Sequence, residues 1–235
     1  MEVYIGIDLA WGEKNLSGFC VLTPLENTLK ILEIKLLHTL DEITDEIKKY
    51  LAHQIYVGVD APLLIPNESG NREIEKAFNK DFSKYKISML PVNRKLLTKF
   101  SPKIRSEVLY EKLSSLGFSR DLKAKKALFE VYPHATIALC FNDNKILPYK
   151  RKKGRDTLFI KEQLKIYQNY LQSVCEPDSI FEEDIDLLKG KSLKDYEDKL
   201  DSFTSAYTLL YCKNKPHKIY KLDNIDTFIT PIEES

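Results

Sequence analysis

The sequence predicts an α/β fold, a mixed five-stranded sheet flanked by helices. Three observations carry that prediction. An apolar pentapeptide ending on an acid is written twice, Tyr4-Ile5-Gly6-Ile7-Asp8 and Tyr56-Val57-Gly58-Val59-Asp60. Charge-free, β-branched runs of this kind read as strands buried on both faces, as parallel strands are. Two short turn-type connections separate the first three strand-like runs, which makes them an antiparallel meander. Helical periodicity then separates that meander from the second pentapeptide, and a helix is the usual route to a parallel neighbour.

The elements follow in order. Residues 3–10 form the first strand, Gly18 to Leu22 the second and Leu29 to Leu37 the third, with a turn at Asn15 to Gly18. Thr39 and Asp41 open a helix with Ile43, Ile47 and Leu51 on one face; its acidic start and Lys48-Lys49 at its end suit the helix dipole. The fourth strand is Ile55 to Asp60. Asp60-Ala61-Pro62 leads into a mostly helical insertion spanning about residues 64–125, within one domain that covers residues 1–235. In the insertion, Arg72 to Phe82 reads as a polar helix and residues 84–100 as irregular. Ser101-Pro102 is the expected start of a helix that buries Ile104, Val108, Leu109, Leu113 and Leu116 and stops at Gly117.

Ala127 to Tyr132 is the fifth strand, closed by Pro133. The segment Pro148 to Asp156 is basic. Ile160, Leu164, Tyr167, Leu171 and Val174 make a helical stripe, residues 178–190 a short acidic helix, and Leu193 to Cys212 the last main helix. A short final strand over Lys218 to Leu222 completes the reading.

Composition narrows the function. With 36 basic and 35 acidic side chains, the chain has no global attraction for polyanions, so any basic site is local. The four cysteines lie far apart, without the spacing of a zinc knuckle or a redox pair, and Cys20 reads as a core residue. The N-terminus lacks the pattern of a signal peptide and no apolar run is long enough to span a bilayer. A soluble, cytoplasmic protein without a membrane partner is expected.

Parallel pairing of the two pentapeptides brings Asp8 and Asp60 to one edge of the sheet. Two acids so placed repel each other unless a cation sits between them, and a divalent metal ion is the obvious candidate. Glu130 interrupts the apolar run Leu128-Phe129-Glu130-Val131, where an unpaired charge is costly, so it needs a metal or an Arg. On the last helix, Asp201 lies at the rim of the stripe 200, 203, 207, with Asp198 and Glu197 as neighbours. His134 follows Pro133 and could serve as acid, base or phosphate contact, or as a plain loop histidine.

Four stretches in this order resemble a family: Gly6-Ile7-Asp8-Leu9-Ala10-Trp11, Gly58-Val59-Asp60-Ala61-Pro62-Leu63, Glu130-Val131-Tyr132-Pro133-His134-Ala135 and Leu200-Asp201-Ser202-Phe203-Thr204-Ser205-Ala206. The resemblance is to domain-of-unknown-function family 429, described as predicted nucleases of ribonuclease H-like fold. The last stretch departs from the commoner Asp-Ala-Leu pattern by carrying Ser202 and Phe203 after the acid. The resemblance implies a two-metal phosphodiesterase site holding two Mg²⁺ or Mn²⁺ ions. In it Asp8 bridges both ions, Asp60 and Asp201 complete the coordination, and Glu130 is the fourth acid. From its place on the helix, Asp198 could be a further ligand or a partner behind the ligands, and His134 could stand behind them too. Hard divalent ions prefer such oxygen ligands, and a pair of them can activate water against a phosphodiester.

Nucleic acid, DNA or RNA, is the expected partner. The basic loop with Lys150, Arg151, Lys152, Lys153 and Arg155 could grip phosphates, and Arg94 could widen that surface. Two other classes compete. A non-catalytic nucleic-acid binder or adaptor could keep the fold. An ATP-dependent phosphotransferase, as in the sugar-kinase and actin-like ATPases, needs a glycine-rich phosphate turn after the first Asp. Leu9-Ala10-Trp11-Gly12-Glu13 offers one Gly and a bulky Trp instead.

Overall fold

The computed structural model describes residues 1–233. Its centre is a mixed seven-stranded sheet in the order β3-β2-β1-β4-β5-β7-β6. β1 (Glu2–Asp8), β2 (Ser17–Pro24) and β3 (Leu29–Leu37) form the expected meander. Helix α1 (Leu40–Lys48) is closed at its start by a capping box, with Thr39 Oγ1 accepting from Glu42 N at 3.0 Å. β4 (Gln54–Val59) then pairs parallel with β1, and β5 (Lys126–Glu130) parallel with β4.

The sheet has seven strands where five were expected. A hairpin of β6 (His217–Leu222) and β7 (Ile225–Pro231) adds itself through β7, parallel to β5. Its turn, Asp223-Asn224, takes positive φ at both residues, 49° and 65°, as a tight hairpin turn requires.

The insertion differs from expectation in two places. α2 (Glu73–Asp81) lies where a helix was expected, but the irregular stretch contains a 3₁₀ turn (Ser83–Tyr85) and a one-turn helix, α3 (Arg94–Leu97). Asn93 caps α3 by accepting from Leu96 N at 2.9 Å. α4 (Arg105–Ser115) starts after Ser101-Pro102 rather than at it, because Ser101 Oγ turns to Glu13 Oε1 at 3.1 Å instead of capping. Beyond β5, Pro133 opens α5 (Pro133–Phe141) instead of ending a strand; proline suits a first helical turn, whose N–H has no partner to lose. α6 (Thr157–Gln172) and α7 (Lys191–Asn214) follow the predicted stripes, and the acidic segment between them holds a 3₁₀ turn at Ser179–Glu182.

Strand alternation divides the core. Val3, Ile5 and Ile7 of β1 and Val57 and Val59 of β4 face α1 and α4. Tyr4 and Tyr56 face α6 and α7, where their rings stack at 4.8 Å. Gly6 and Gly58, paired in register, lie on that same face and let α7 rest on the sheet backbone. A Cβ on Gly6 would come within 1.8 Å of Ser202 O, and one on Gly58 within 2.4 Å of Ser205 O. The echoed glycines are therefore the seat of the helix that carries Asp201. Among the described residues no helix is long and apolar enough to cross a membrane.

Candidate metal centre

Following Tyr4-Gly6-Asp8 and Tyr56-Gly58-Asp60 along the strands puts both acids on the α7 side of the sheet. Asp60 N donates to Ile7 O at 2.8 Å, which ties the end of β4 to the end of β1. α7, seated on the glycines, delivers Asp201 from above. Asp8, Asp60 and Asp201 each offer a carboxylate oxygen, and these oxygens lie within 4.8 Å of one another.

Asp201 is fully buried and tightly held. Its Oδ1 accepts from the Tyr149 hydroxyl at 2.6 Å, and the Tyr167 hydroxyl lies 3.1 Å away. Its Oδ2 is 2.7 Å from Lys150 Nζ. Burial opposes its charge, but Lys150 and the Tyr149 hydrogen bond more than compensate and hold its pKa below the usual aspartate range. Asp8 and Asp60 fare differently. Burial raises both, Lys150 only partly offsets it, and repulsion from the neighbouring acids adds to it; Asp60 is pushed up to about 8. Asp198, one turn before Asp201, shares a hydrogen bond with Asp8 and is also pushed up to about 8 by burial and by Asp8.

Two ammonium groups meet these acids. Burial opposes the charge of Lys150, but attraction to Asp201, which it contacts, and at longer range to Asp8 and Asp60 more than compensates and raises its pKa. Lys194 pairs with Asp198 one helical turn on, and with Glu197 at 2.8 Å. The five acids Asp8, Asp60, Glu197, Asp198 and Asp201 outnumber these two cations. An all-oxygen donor set of this kind fits a hard divalent ion.

Glu130 is not brought into this cluster. In the β4–β5 register it sits opposite Val59, whose side chain faces α1 and α4, so Glu130 points away from the Asp8 side. There Arg72 grips it with two hydrogen bonds, Nη1 to Oε1 at 3.0 Å and Nη2 to Oε2 at 2.9 Å. Glu130 Oε1 also accepts from Leu63 N at 2.7 Å, just after Asp60. Of the two partners expected for this buried acid, the structure supplies the Arg.

His134 stands in the first turn of α5, its ring 4.8 Å from that of Tyr149. Its Nδ1 is buried without a partner among the described residues. Burial, helped by Lys150, pushes its pKa down to about 3, so the imidazole is neutral. The basic loop divides: Lys150 dips into the acids, Arg155 holds it by donating to Lys150 O at 2.9 Å, and Arg151, Lys152 and Lys153 stay exposed. Arg94 is engaged elsewhere, with Glu107 at 2.8 Å and Ile65 O at 2.8 Å.

Two recesses meet at Asp8. One, of about 350 Å³, runs past Asp60 between Trp11, Leu90 and Tyr132. The other runs past Lys14, Lys191, Lys194 and Asp198. Sequence reading passed over these lysines; Lys194 was legible only as lying four and seven residues before Asp198 and Asp201, on their helix face.

A family described as "Protein of unknown function (DUF429)" has a model that matches residues 6–214. No curated protein matches the chain.

Proposed function

The chain belongs to the DUF429 family, and from that premise and the acidic centre we propose that it is a divalent-metal-dependent nuclease, a phosphodiesterase of ribonuclease H-like fold. The observation that carries the reading is the convergence of Asp8, Asp60 and Asp201 from two strands and a distant helix, with ligand oxygens within 4.8 Å. The sheet order supports the fold: a meander, parallel strands beyond it, and an acid on the last long helix.

Asp8, Asp60 and Asp201 would hold Mg²⁺ or Mn²⁺. When bound, such an ion supplies an activated water and stabilises the charge that builds on a phosphodiester oxygen. The protein's own part is placement. Tyr149 and Tyr167 fix Asp201, the β1–β4 register fixes Asp8 against Asp60, and Glu130 with Arg72 fixes the loop that follows Asp60. The two recesses suit a nucleic-acid strand crossing at Asp8. Lys14 and Lys191 line the side where phosphates would run, and Trp11 and Tyr132 offer rings to a base.

The test is hydrolysis of labelled single- and double-stranded DNA and RNA oligonucleotides with Mn²⁺, beside the Asp8→Asn protein. Cleavage by the wild type alone is expected. Metal-independent binding of the oligonucleotides with no cleavage would replace the reading with that of a non-catalytic nucleic-acid binder.

A further inference from the structure

Lys150 is too well built into the centre to be one more basic residue of a surface loop. The preceding residue, Tyr149, is fully buried, bonded to Asp201 and packed between Tyr167 and His134 at 4.7 and 4.8 Å. On the following side Arg155 holds the Lys150 carbonyl. The backbone is thus fixed at both flanks, and the side chain, about a third exposed, ends 2.7 Å from Asp201 Oδ2. That oxygen is the one the tyrosines leave free.

A charge count follows. Asp198 and Glu197 share Lys194, and Asp201 has Lys150. Among the described residues neither Asp8 nor Asp60 has an ammonium nitrogen within 4.0 Å, and five carboxylates against two ammonium groups leave three negative charges, enough for one divalent ion and short of the four positive charges that two would bring. The fourth acid that would help hold a second ion, Glu130, lines the same recess as Asp8 and Asp60 but is not among the converging oxygens, and both of its own accept from Arg72.

We propose that Lys150 is the second cation of the centre: the site binds one divalent ion, against Asp8, Asp60 and Asp201 Oδ2, and the Lys150 ammonium stands where a second ion would. This rests on the metal-dependent reading above and replaces the pair of ions that four acids implied. It makes Lys150 a positioning residue for Asp201 and gives a phosphate oxygen an ammonium partner opposite the ion.

Counting bound Mn²⁺ by calorimetry and by electron paramagnetic resonance, without substrate, tests it. Wild type is expected to bind one Mn²⁺ per chain, Lys150→Arg one, and Lys150→Met two, with the melting profile confirming that each variant folds. Two ions on the wild type would overturn the inference and leave the metal-dependent reading standing. One ion of unchanged affinity on Lys150→Met would also overturn it, since the ammonium would then exclude nothing. No Mn²⁺ on wild type and Lys150→Met alike would instead overturn both the inference and the metal-dependent reading beneath it.

Discussion

Arg72 and Glu130 meet through two parallel hydrogen bonds, 3.0 and 2.9 Å long, with both side chains buried. The same guanidinium bonds Glu75 at 2.7 Å and Leu64 O at 2.7 Å, so one cation ties α2, the Asp60 loop and β5 together. Removing it leaves two carboxylates buried with no cation against them. Arg72→Met is expected to cost about 3–5 kcal/mol, read from urea unfolding at neutral pH. Glu130→Gln, which keeps an acceptor for Leu63 N, should cost less, about 1–3 kcal/mol. Equal losses in the two variants would show that the charge pair is not what holds the loop.

Asp8→Asn is expected to abolish Mn²⁺ binding and cleavage while stabilising the metal-free protein. Asp8 is held among acids that repel it, and its pKa is raised by burial and by Asp201. Relieving such a site commonly gains about 0.5–2 kcal/mol. Thermal unfolding in a chelator reads the effect; a lower melting temperature in the variant would count against electrostatic strain at this centre.

The pH dependence of stability has an unusual sign here. Asp60 and Asp198 are pushed up to about 8 in the folded protein, whereas the unfolded chain titrates them near 4. Over that interval the folded state keeps protons that the unfolded state has released. In a chelator, therefore, these acids make stability fall as the pH rises from about 5 to about 8. Asp201, whose pKa is lowered, contributes in the opposite sense, and only below the usual aspartate range. Asp60→Asn should flatten the slope of melting temperature against pH; an unchanged slope would rule out this group as its source.

His134, held at a pKa of about 3 by burial and Lys150, is not expected to titrate near neutrality. Its imidazole nitrogens, followed by NMR, should report the neutral ring down to about pH 5. A midpoint near 6.5, the ordinary histidine value, would restore it as a candidate acid or base.

Gly6→Ala should cost at least about 3 kcal/mol, the upper end for overpacking, because its Cβ would meet backbone of α7, 1.8 Å from Ser202 O and 2.4 Å from Ala206 N. Gly12→Ala is the control. Its Cβ would meet nothing nearer than 3.6 Å, and a change within about 0.5 kcal/mol is expected. Comparable destabilisation in both would mean that the seat of α7 is more yielding than the geometry shows.

The meander, β4 and the long helices were legible because each carries a clean signal: an apolar run, a 3.6-residue stripe or a cap such as Thr39. β7 was not, since Asp226, Thr227 and Thr230 break its apolar pattern; Asp223-Asn224 was the available clue. α5 was missed because a proline after a strand reads equally as a stop or as a first helical turn. Asp8, Asp60 and Asp201 could be placed from strand register and helix stripe. Glu130 could have been excluded from their side by the same alternation, since it pairs with Val59 rather than with Asp60. Lys150 could not be separated from Arg151, Lys152 and Lys153 by residue type. What sets it apart is that Tyr149 is buried beneath Asp201, a contact between residues far apart in the chain.

The seating of α7 on Gly6 and Gly58 also bears on synthesis. Asp8 and Asp60 leave the ribosome before Asp198 and Asp201, and among the described residues it is the later helix that brings a third carboxylate oxygen to the first two. Until α7 has left the exit tunnel and docked, the nascent chain carries only two solvated acids at a sheet edge. Assembly of the three-acid centre, and with it any metal capture on the proposed reading, thus waits until α7 (Lys191–Asn214) has been translated.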